Sequence, residues 1–339
     1  MIIYEPPKSA DHIPIIDFAG SFTADAEAHR GIGWEVHKAC RETGFFYVKN
    51  HGISESLIAN QFEQSRRFFD LPLDRKMAIH MTQSPTMVGY EPVGVQVTDS
   101  QDPKTKASPP DLKEAFFIGE EIGPDHPYAG KKIRGYGFNQ WPDHLPGFKD
   151  GVLAYHAAIS SLSMQVVRML ALSLDLQIDY FAPMFDMPNT TLRMLKYPPQ
   201  PAQVDFNQMG AGAHTDWGGV TLLAQDDVGG LEVRNASGDW IRATPIPGTF
   251  VVNLGDLMSR WTNGLYRSNF HRVMNNVSGR DRYSMAFFFG PRPSSVIDAL
   301  PTCVSDDRPA QFAPCTAQEH VNEMFRRSYA ALKPELTNA

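Results

Sequence analysis

The chain has 339 residues, 42% of them hydrophobic and 20% charged, enough apolar material for one large core or two modest ones in a globular protein. A net charge of −7 and a pI near 5.9 give no electrostatic hold on a phosphate backbone or an anionic membrane surface, so neither nucleic acid nor a membrane is an expected partner. The first residues interleave prolines and charges without the basic start and apolar run of a secretory signal, and no later stretch is apolar enough to span a bilayer. Three cysteines without CxxC spacing (Cys40, Cys303, Cys315) fit a reducing compartment, so the expected location is cytoplasmic.

In chain order, Pro14-Ile15-Ile16-Asp17 reads as a short strand. Residues 25–41 read as an amphipathic helix through Ile32, Val36 and Cys40, ending near Gly44. Gly44 to Val48 reads as a second strand, and residues 54–69 as a helix closed by Leu71-Pro72. Gly, Pro, Ser, Thr and Lys dominate residues 82–110, which predicts a long loop of the kind that often serves as a lid. Residues 151–176 form the longest helical pattern, with Leu153, Ile159, Leu162, Val166, Leu170 and Leu174 at intervals suited to a spine under a sheet.

From Thr190 the period changes to two. Strands are expected at 190–197, 220–225, 231–233, 240–243, 250–254 and 283–289, separated by turn signals such as Asn235-Ala236-Ser237-Gly238 and Asn263-Gly264, the pattern of a β-sandwich or jelly roll. Thr316-Ala317-Gln318-Glu319 has capping-box spacing, and Val321, Met324, Phe325 and Tyr329 give the following helix an apolar stripe.

Chemistry concentrates in His214-Thr215-Asp216, the lone His271, and Arg282-Tyr283-Ser284. If residues 213–217 are extended, alternation points His214 and Asp216 the same way, and one ion can be held by both. With His271 they make two imidazoles and a carboxylate, which occupy one face of octahedral Fe(II) and leave three positions for reacting ligands. His-x-Asp alone is far more often a surface pair; the ordered set with His271, Arg282 and Ser284 carries the reading. Zinc sites with these ligands usually carry His-Glu-x-x-His on a helix, which is absent here. The other histidines read as surface or hydrogen-bonded residues, with His51 in Asn50-His51-Gly52 the one left open.

Arg282 and Ser284, at period two, present a guanidinium fork and a hydroxyl to one side, suited to the far end of a dicarboxylate. Tyr197, from a strand placed across the barrel, is expected to add its hydroxyl. In isolation, Arg282 would more often pair with a structural acid and Ser284 would be a small strand residue.

Over nearly its whole length the sequence resembles the isopenicillin N synthase-like family of non-haem Fe(II)/2-oxoglutarate-dependent oxygenases. The resemblance rests on Ile13-Pro14-Ile15-Ile16-Asp17-Phe18, Thr43-Gly44-Phe45-Phe46-Tyr47-Val48-Lys49-Asn50-His51-Gly52-Ile53, Asp111-Leu112-Lys113-Glu114-Ala115-Phe116, Leu192 to Pro199, His214-Thr215-Asp216, Asn253-Leu254-Gly255-Asp256, His271-Arg272-Val273 and Arg282-Tyr283-Ser284. It implies a mostly β protein with flanking helices around a double-stranded β-helix (jelly-roll) core. The parts would be an N-terminal helical and strand region (1–120), a spine helix (150–180), the core (185–295) and a C-terminal helix (315–332). It further implies His214, Asp216 and His271 as metal ligands, and Arg282, Ser284 and Tyr197 as contacts to 2-oxoglutarate. The implied reaction uses O2, releases succinate and CO2, and oxidises a small-molecule substrate; His51 is implied to be structural.

Within the family, the runs at 212–218 and 224–231 are similar to the bacterial ethylene-forming enzyme, and Arg327 has a counterpart there. Val95 and Gln96 stand where that enzyme carries acidic residues. Two alternatives stay open at this level: an isopenicillin N synthase-type oxidase without 2-oxoglutarate, against which the tail 334–339 lacks a glutamine, and a jelly-roll protein that binds metal and acid without turnover. Substrate contacts are expected among Trp217, Tyr90, Phe116, Arg193 and Arg327, although an aromatic in a barrel is more often core. The oligomeric state is not legible.

Overall fold

In the computed structural model, Asp25 accepts the backbone amides of Glu27 and Ala28 and opens α1 (Ala26–Glu42), and Ser54 accepts that of Leu57 at the start of α2 (Glu55–Phe69). A short α3 (Leu73–Met77) follows Pro72, α4 (Phe148–Ser173) is the spine, and α5 (Asp256–Trp261) comes late in the chain. The expected capping box opens α6 (Ala317–Ser328): the Thr316 amide donates to Glu319 Oε2 at 2.7 Å and the Glu319 amide to Thr316 Oγ1 at 3.2 Å. The structure describes residues 10–98, 109–203 and 208–328; Tyr329, the tail 334–339 and residues 99–108 of the expected lid loop lie outside the described residues. Among the described residues no helix is long and apolar enough to cross a membrane.

The strands are β1 (Ile15–Asp17), β2 (Phe45–Lys49), β3 (Gly89–Glu91), β4 (Glu114–Glu121), β5 (Tyr136–Gly137), β6 (Asn189–Tyr197), β7 (Ala211–His214), β8 (Val220–Gln225), β9 (Leu231–Arg234), β10 (Trp240–Arg242), β11 (Thr249–Leu254), β12 (His271–Val273), β13 (Arg282–Gly290), β14 (Val296–Ile297) and β15 (Cys315–Thr316). The strands β6 to β13 form the jelly roll. Of these, β11, β8, β13 and β6 lie side by side in the major sheet, while β10, β9, β12 and β7 make the minor sheet. The N-terminal region completes the major sheet at both edges, β2 and β1 beyond β11, and β4 and β3 beyond β6.

One expectation changes, and one strand was not expected. Within residues 82–110, Gly89–Glu91 is not loop but strand β3, paired to β4, and three residues are too few to show a period. The strand β4 itself escapes periodicity because Glu114 to Gly119 are buried without alternation.

Alternation sorts the major sheet into two layers. Tyr283, Met285, Phe287 and Phe289 of β13 and Leu192 and Met194 of β6 point outward and share one core with Tyr155, Ile159, Val166 and Leu170 of α4. Each fully buried side chain of this kind is worth roughly 1.5–3 kcal/mol of transfer free energy. The opposite parity, Arg282, Ser284, Ala286 and Phe288 with Arg193, Leu195 and Tyr197, points inward and lines a cavity. The barrel is therefore solid on its helix side and hollow within. Gly255, between β11 and α5, meets the link from β7 to β8 closely: a Cβ there would stand 2.2 Å from the Gly218 carbonyl oxygen, so only glycine fits.

Candidate metal centre and its cavities

His214 is the last residue of β7 and His271 the first of β12, and the antiparallel register sets them directly opposite each other. The expected extended run through residue 217 is not a strand: β7 ends at His214, and Thr215, Asp216 and Trp217 lie in the link to β8. The convergence survives because the Asp256 amide donates to the Asp216 carbonyl at 2.8 Å and pins that link to the start of α5. One ligand atom from each of His214, Asp216 and His271 lies within 4.8 Å of the others. Asp216 Oδ1 is 4.0 Å from His214 Nε2 and 3.8 Å from His271 Nε2.

Each group is aimed by its neighbours. His214 Nδ1 lies 2.7 Å from the Gly212 carbonyl and His271 Nδ1 3.4 Å from that of Asn269; a proton on Nδ1 donates to these oxygens and leaves Nε2 as a lone pair toward the centre. Asp216 Oδ2 accepts from Thr221 Oγ1 of β8 and Asn253 Nδ2 of β11, both at 2.6 Å, which leaves Oδ1 for a cation. Burial, followed by the neighbouring His271, pushes the His214 imidazole down to about 3. For Asp216, burial raises the carboxyl, but the imidazoles of His271 and His214 and the bonds from Asn253 and Thr221 outweigh it and hold it below its ordinary value. A neutral imidazole at His214 and an ionised carboxylate at Asp216 are protonation states that a divalent cation requires of such ligands.

Arg282 is 1% exposed, and no carboxylate among the described residues lies within ion-pair distance of it. Its Nη1 donates to Ser284 Oγ at 3.3 Å and its Nη2 to Gln225 Oε1 at 3.4 Å, while the buried Nε has no acceptor. A buried guanidinium without an anion is costly, and an anion placed beside it would offset that cost. Tyr197 belongs to the strand next to Arg282, not across the barrel; the two are register partners, and the tyrosine offers its ring face, 4.6 Å from the guanidinium carbon.

Two cavities meet at this centre, with Arg193, His214, Asp216 and Phe288 on the walls of both. The inner one holds Arg282, Ser284 and Tyr197; the outer one is walled by Trp217, Phe117, Arg134 and Val321 of α6. Of the expected substrate contacts, Trp217 and Arg193 line the outer cavity. Tyr90 and Phe116 do not, because their parity turns them to the helix side: Phe116 packs 4.2 Å from Phe68, and the Tyr90 hydroxyl donates to Glu114 at 2.7 Å. Arg327 is exposed and bonds Glu323 one helical turn earlier, away from the cavity.

Several residues of the site escape sequence reading. Phe117 and Phe288 carry the inward parity, a signal that needs the strand register to read. Asn253 stands in a run that carries the family resemblance, yet its type and position suggest no role by themselves. Asp111 Oδ1 accepts the Gly212 amide at 3.0 Å, and its other oxygen pairs with Lys113, so a buried ion pair holds the strand that ends in His214. His51 packs on Phe250 and accepts the Ile53 amide, a structural role, and Cys40 is buried.

Comparison with known proteins fits this centre. The family model described as non-haem dioxygenase in morphine synthesis N-terminal matches residues 13–144, and that of the 2OG-Fe(II) oxygenase superfamily matches 188–291. The chain is 40% identical over 331 residues to the 2-oxoglutarate-Fe(II) type oxidoreductase hxnY of Emericella nidulans, covering 95% of this chain and 93% of that one. It belongs to the 2-oxoglutarate- and Fe(II)-dependent oxygenases. This oxygenase is also 34% identical over 333 residues to the 1-aminocyclopropane-1-carboxylate oxidase of Dictyostelium discoideum, covering 89% of this chain and 87% of the relative. Its fold matches the crystal structure of a full-length Neurospora crassa protein in complex with α-ketoglutarate and thymine, with a TM-score of 0.81 at 32% identity, over 95% of this chain and 97% of that one. As a member of the superfamily the oxygenase is an oxidoreductase that uses Fe(II), 2-oxoglutarate and O2, and its jelly-roll core is the family fold.

Proposed function

We propose that the oxygenase oxidises a C–H bond of a small, flat molecule held in the outer cavity, while 2-oxoglutarate occupies the inner one. In this reading His214, Asp216 and His271 hold the iron, Arg282 and Ser284 receive the far carboxylate of 2-oxoglutarate, and the ring of Tyr197 backs the guanidinium. The observation that carries it is the meeting of two differently built cavities at one three-ligand centre, the inner ending on a buried guanidinium and the outer walled by aromatic rings. The bound iron supplies O2 activation coupled to the conversion of 2-oxoglutarate to succinate and CO2.

The protein's own contribution is positional. Asn253 and Thr221 keep one carboxylate oxygen of Asp216 turned toward the centre, and the backbone carbonyls of Gly212 and Asn269 orient the two imidazoles. Phe117, Trp217 and Phe288 exclude water and offer ring faces to a planar substrate. The Neurospora crassa structure holding thymine supports a flat occupant for this fold.

The test is a metabolite screen with Fe(II) and 2-oxoglutarate under air, scored by succinate release. Stimulation by planar compounds supports the reading, and stimulation confined to flexible aliphatic ones overturns it. Ethylene measured in the headspace of the same reactions tests the fragmentation outcome implied by the similarity at residues 212–218 and 224–231.

A further inference from the structure

The register of the minor sheet sets His214 against His271, but it does not reach the third ligand. Asp216 lies in the irregular link after β7, and residues 267–270, which lead into β12, are likewise outside any strand or helix. One side chain joins these two segments. Asp256, the first residue of α5, accepts from Ser268 Oγ on Oδ1 at 2.7 Å and from Thr215 Oγ1 on Oδ2 at 3.3 Å. Thr215 stands between His214 and Asp216, and Ser268 stands next to Asn269, whose carbonyl orients the His271 ring. A carboxylate accepts on both oxygens, so one side chain can fix donors from two separate stretches of backbone. The amide of the same residue already holds the Asp216 carbonyl at 2.8 Å. His320 of α6 stands 3.7 Å from Asp256 Oδ2, too far for a hydrogen bond, so the tie runs between the two ligand-bearing segments.

We infer that Asp256 is a positioning residue of the metal centre: its carboxylate ties the Thr215 link to the Ser268 segment and so fixes where Asp216 stands relative to His271. The spacing it guards is the 3.8 Å between Asp216 Oδ1 and His271 Nε2. Three ligands on one face of an octahedral ion must all aim at one point, and a shift of one arm weakens binding without removing a donor. This role differs from that of Asn253, which turns the Asp216 side chain itself, since Asp256 acts on the segments that carry the ligands. The inference rests on the reading of His214, Asp216 and His271 as the iron ligands and adds what holds them together.

The test uses the full-length protein without oxygen, where Fe(II) and 2-oxoglutarate together give a weak visible charge-transfer band. Fe(II) is titrated at saturating 2-oxoglutarate, and 2-oxoglutarate at saturating Fe(II). In Asp256→Ala the Fe(II) concentration giving half the band is expected to rise by about 10–100-fold, while the 2-oxoglutarate titration overlays that of the unaltered protein. Asp256→Asn, which keeps an acceptor oxygen for Ser268, is expected to fall between, and Ser268→Ala to show a smaller rise of its own. Adding Ser268→Ala to Asp256→Ala is expected to cause no further rise, because the two act through one bond. An Asp256→Ala titration that overlays the unaltered protein, single effects that simply add, or an equal shift in both titrations overturns the inference while the band keeps the metal and 2-oxoglutarate reading standing. Circular dichroism checks each fold; should Asp256→Ala fail to fold, Fe(II) titrations of Asp256→Asn and Ser268→Ala that both overlay the unaltered protein overturn it equally. Absence of the band in the unaltered protein overturns both readings.

Discussion

His271 opens β12 directly opposite His214, the last residue of β7, and their ring centroids stand 4.2 Å apart. The minor sheet thus brings two imidazoles from distant positions in sequence to one point by backbone pairing alone. Asp216 then supplies the charge that distinguishes a cation site from a stacked histidine pair.

Asp216→Ala removes the one anionic ligand and should abolish metal-dependent succinate release, a larger loss than the roughly 10–100-fold that outer-shell partners cost. The fold should survive, because what is lost besides the ligand is two hydrogen bonds, each worth about 1 kcal/mol net. Circular dichroism and succinate assays on one preparation check both halves, and unchanged turnover would refute the site.

Asn253→Ala frees the carboxylate of Asp216 to rotate without removing a ligand. The Fe(II) concentration giving half-maximal activity should rise by about 10–100-fold, and saturating Fe(II) should recover most of the turnover. An Fe(II) titration that overlays the unaltered protein would show that Asn253 is ordinary core.

Arg282→Ala deletes the buried guanidinium. Charged hydrogen bonds of this kind contribute about 1.5–3 kcal/mol, so KM for 2-oxoglutarate should rise by roughly 10–100-fold, with a smaller change in kcat. Arg282→Lys should fall between, since it keeps charge and loses the fork. Equal kinetics in Arg282→Ala would move 2-oxoglutarate elsewhere.

Phe116→Ala and Phe117→Ala separate the two faces of β4. Phe116 sits in the helix-side core, so its truncation should cost about 3–5 kcal/mol of stability, read as a lowered Tm, with KM for substrate little changed. Phe117 walls the outer cavity, so its truncation should chiefly raise substrate KM. The reverse pattern would mean that the parity of the strand has been misread.

The sequence by itself determined the longer helices and most of the jelly-roll strands, and singled out the three residues whose ligand atoms converge, because each has a local signature: a cap, a hydrophobic period, or a spacing of ligand types. Asp25, Ser54 and the Thr316–Glu319 box fixed helix starts that the structure keeps within a residue or two. Tertiary structure alone decided which side of a strand faces the cavity wherever both sides are buried. On β4 neighbouring phenylalanines at 116 and 117 look alike in sequence, and only pairing to β6 assigns one to the core and the other to the cavity. The same holds for Tyr197, placed beside Arg282 by register, for Arg327, turned to solvent by its helix face, and for Arg134, brought to the wall by a segment with no periodicity. A side chain's orientation follows from local backbone geometry, but what stands opposite it depends on contacts between residues far apart in the chain, and these leave no mark on local pattern.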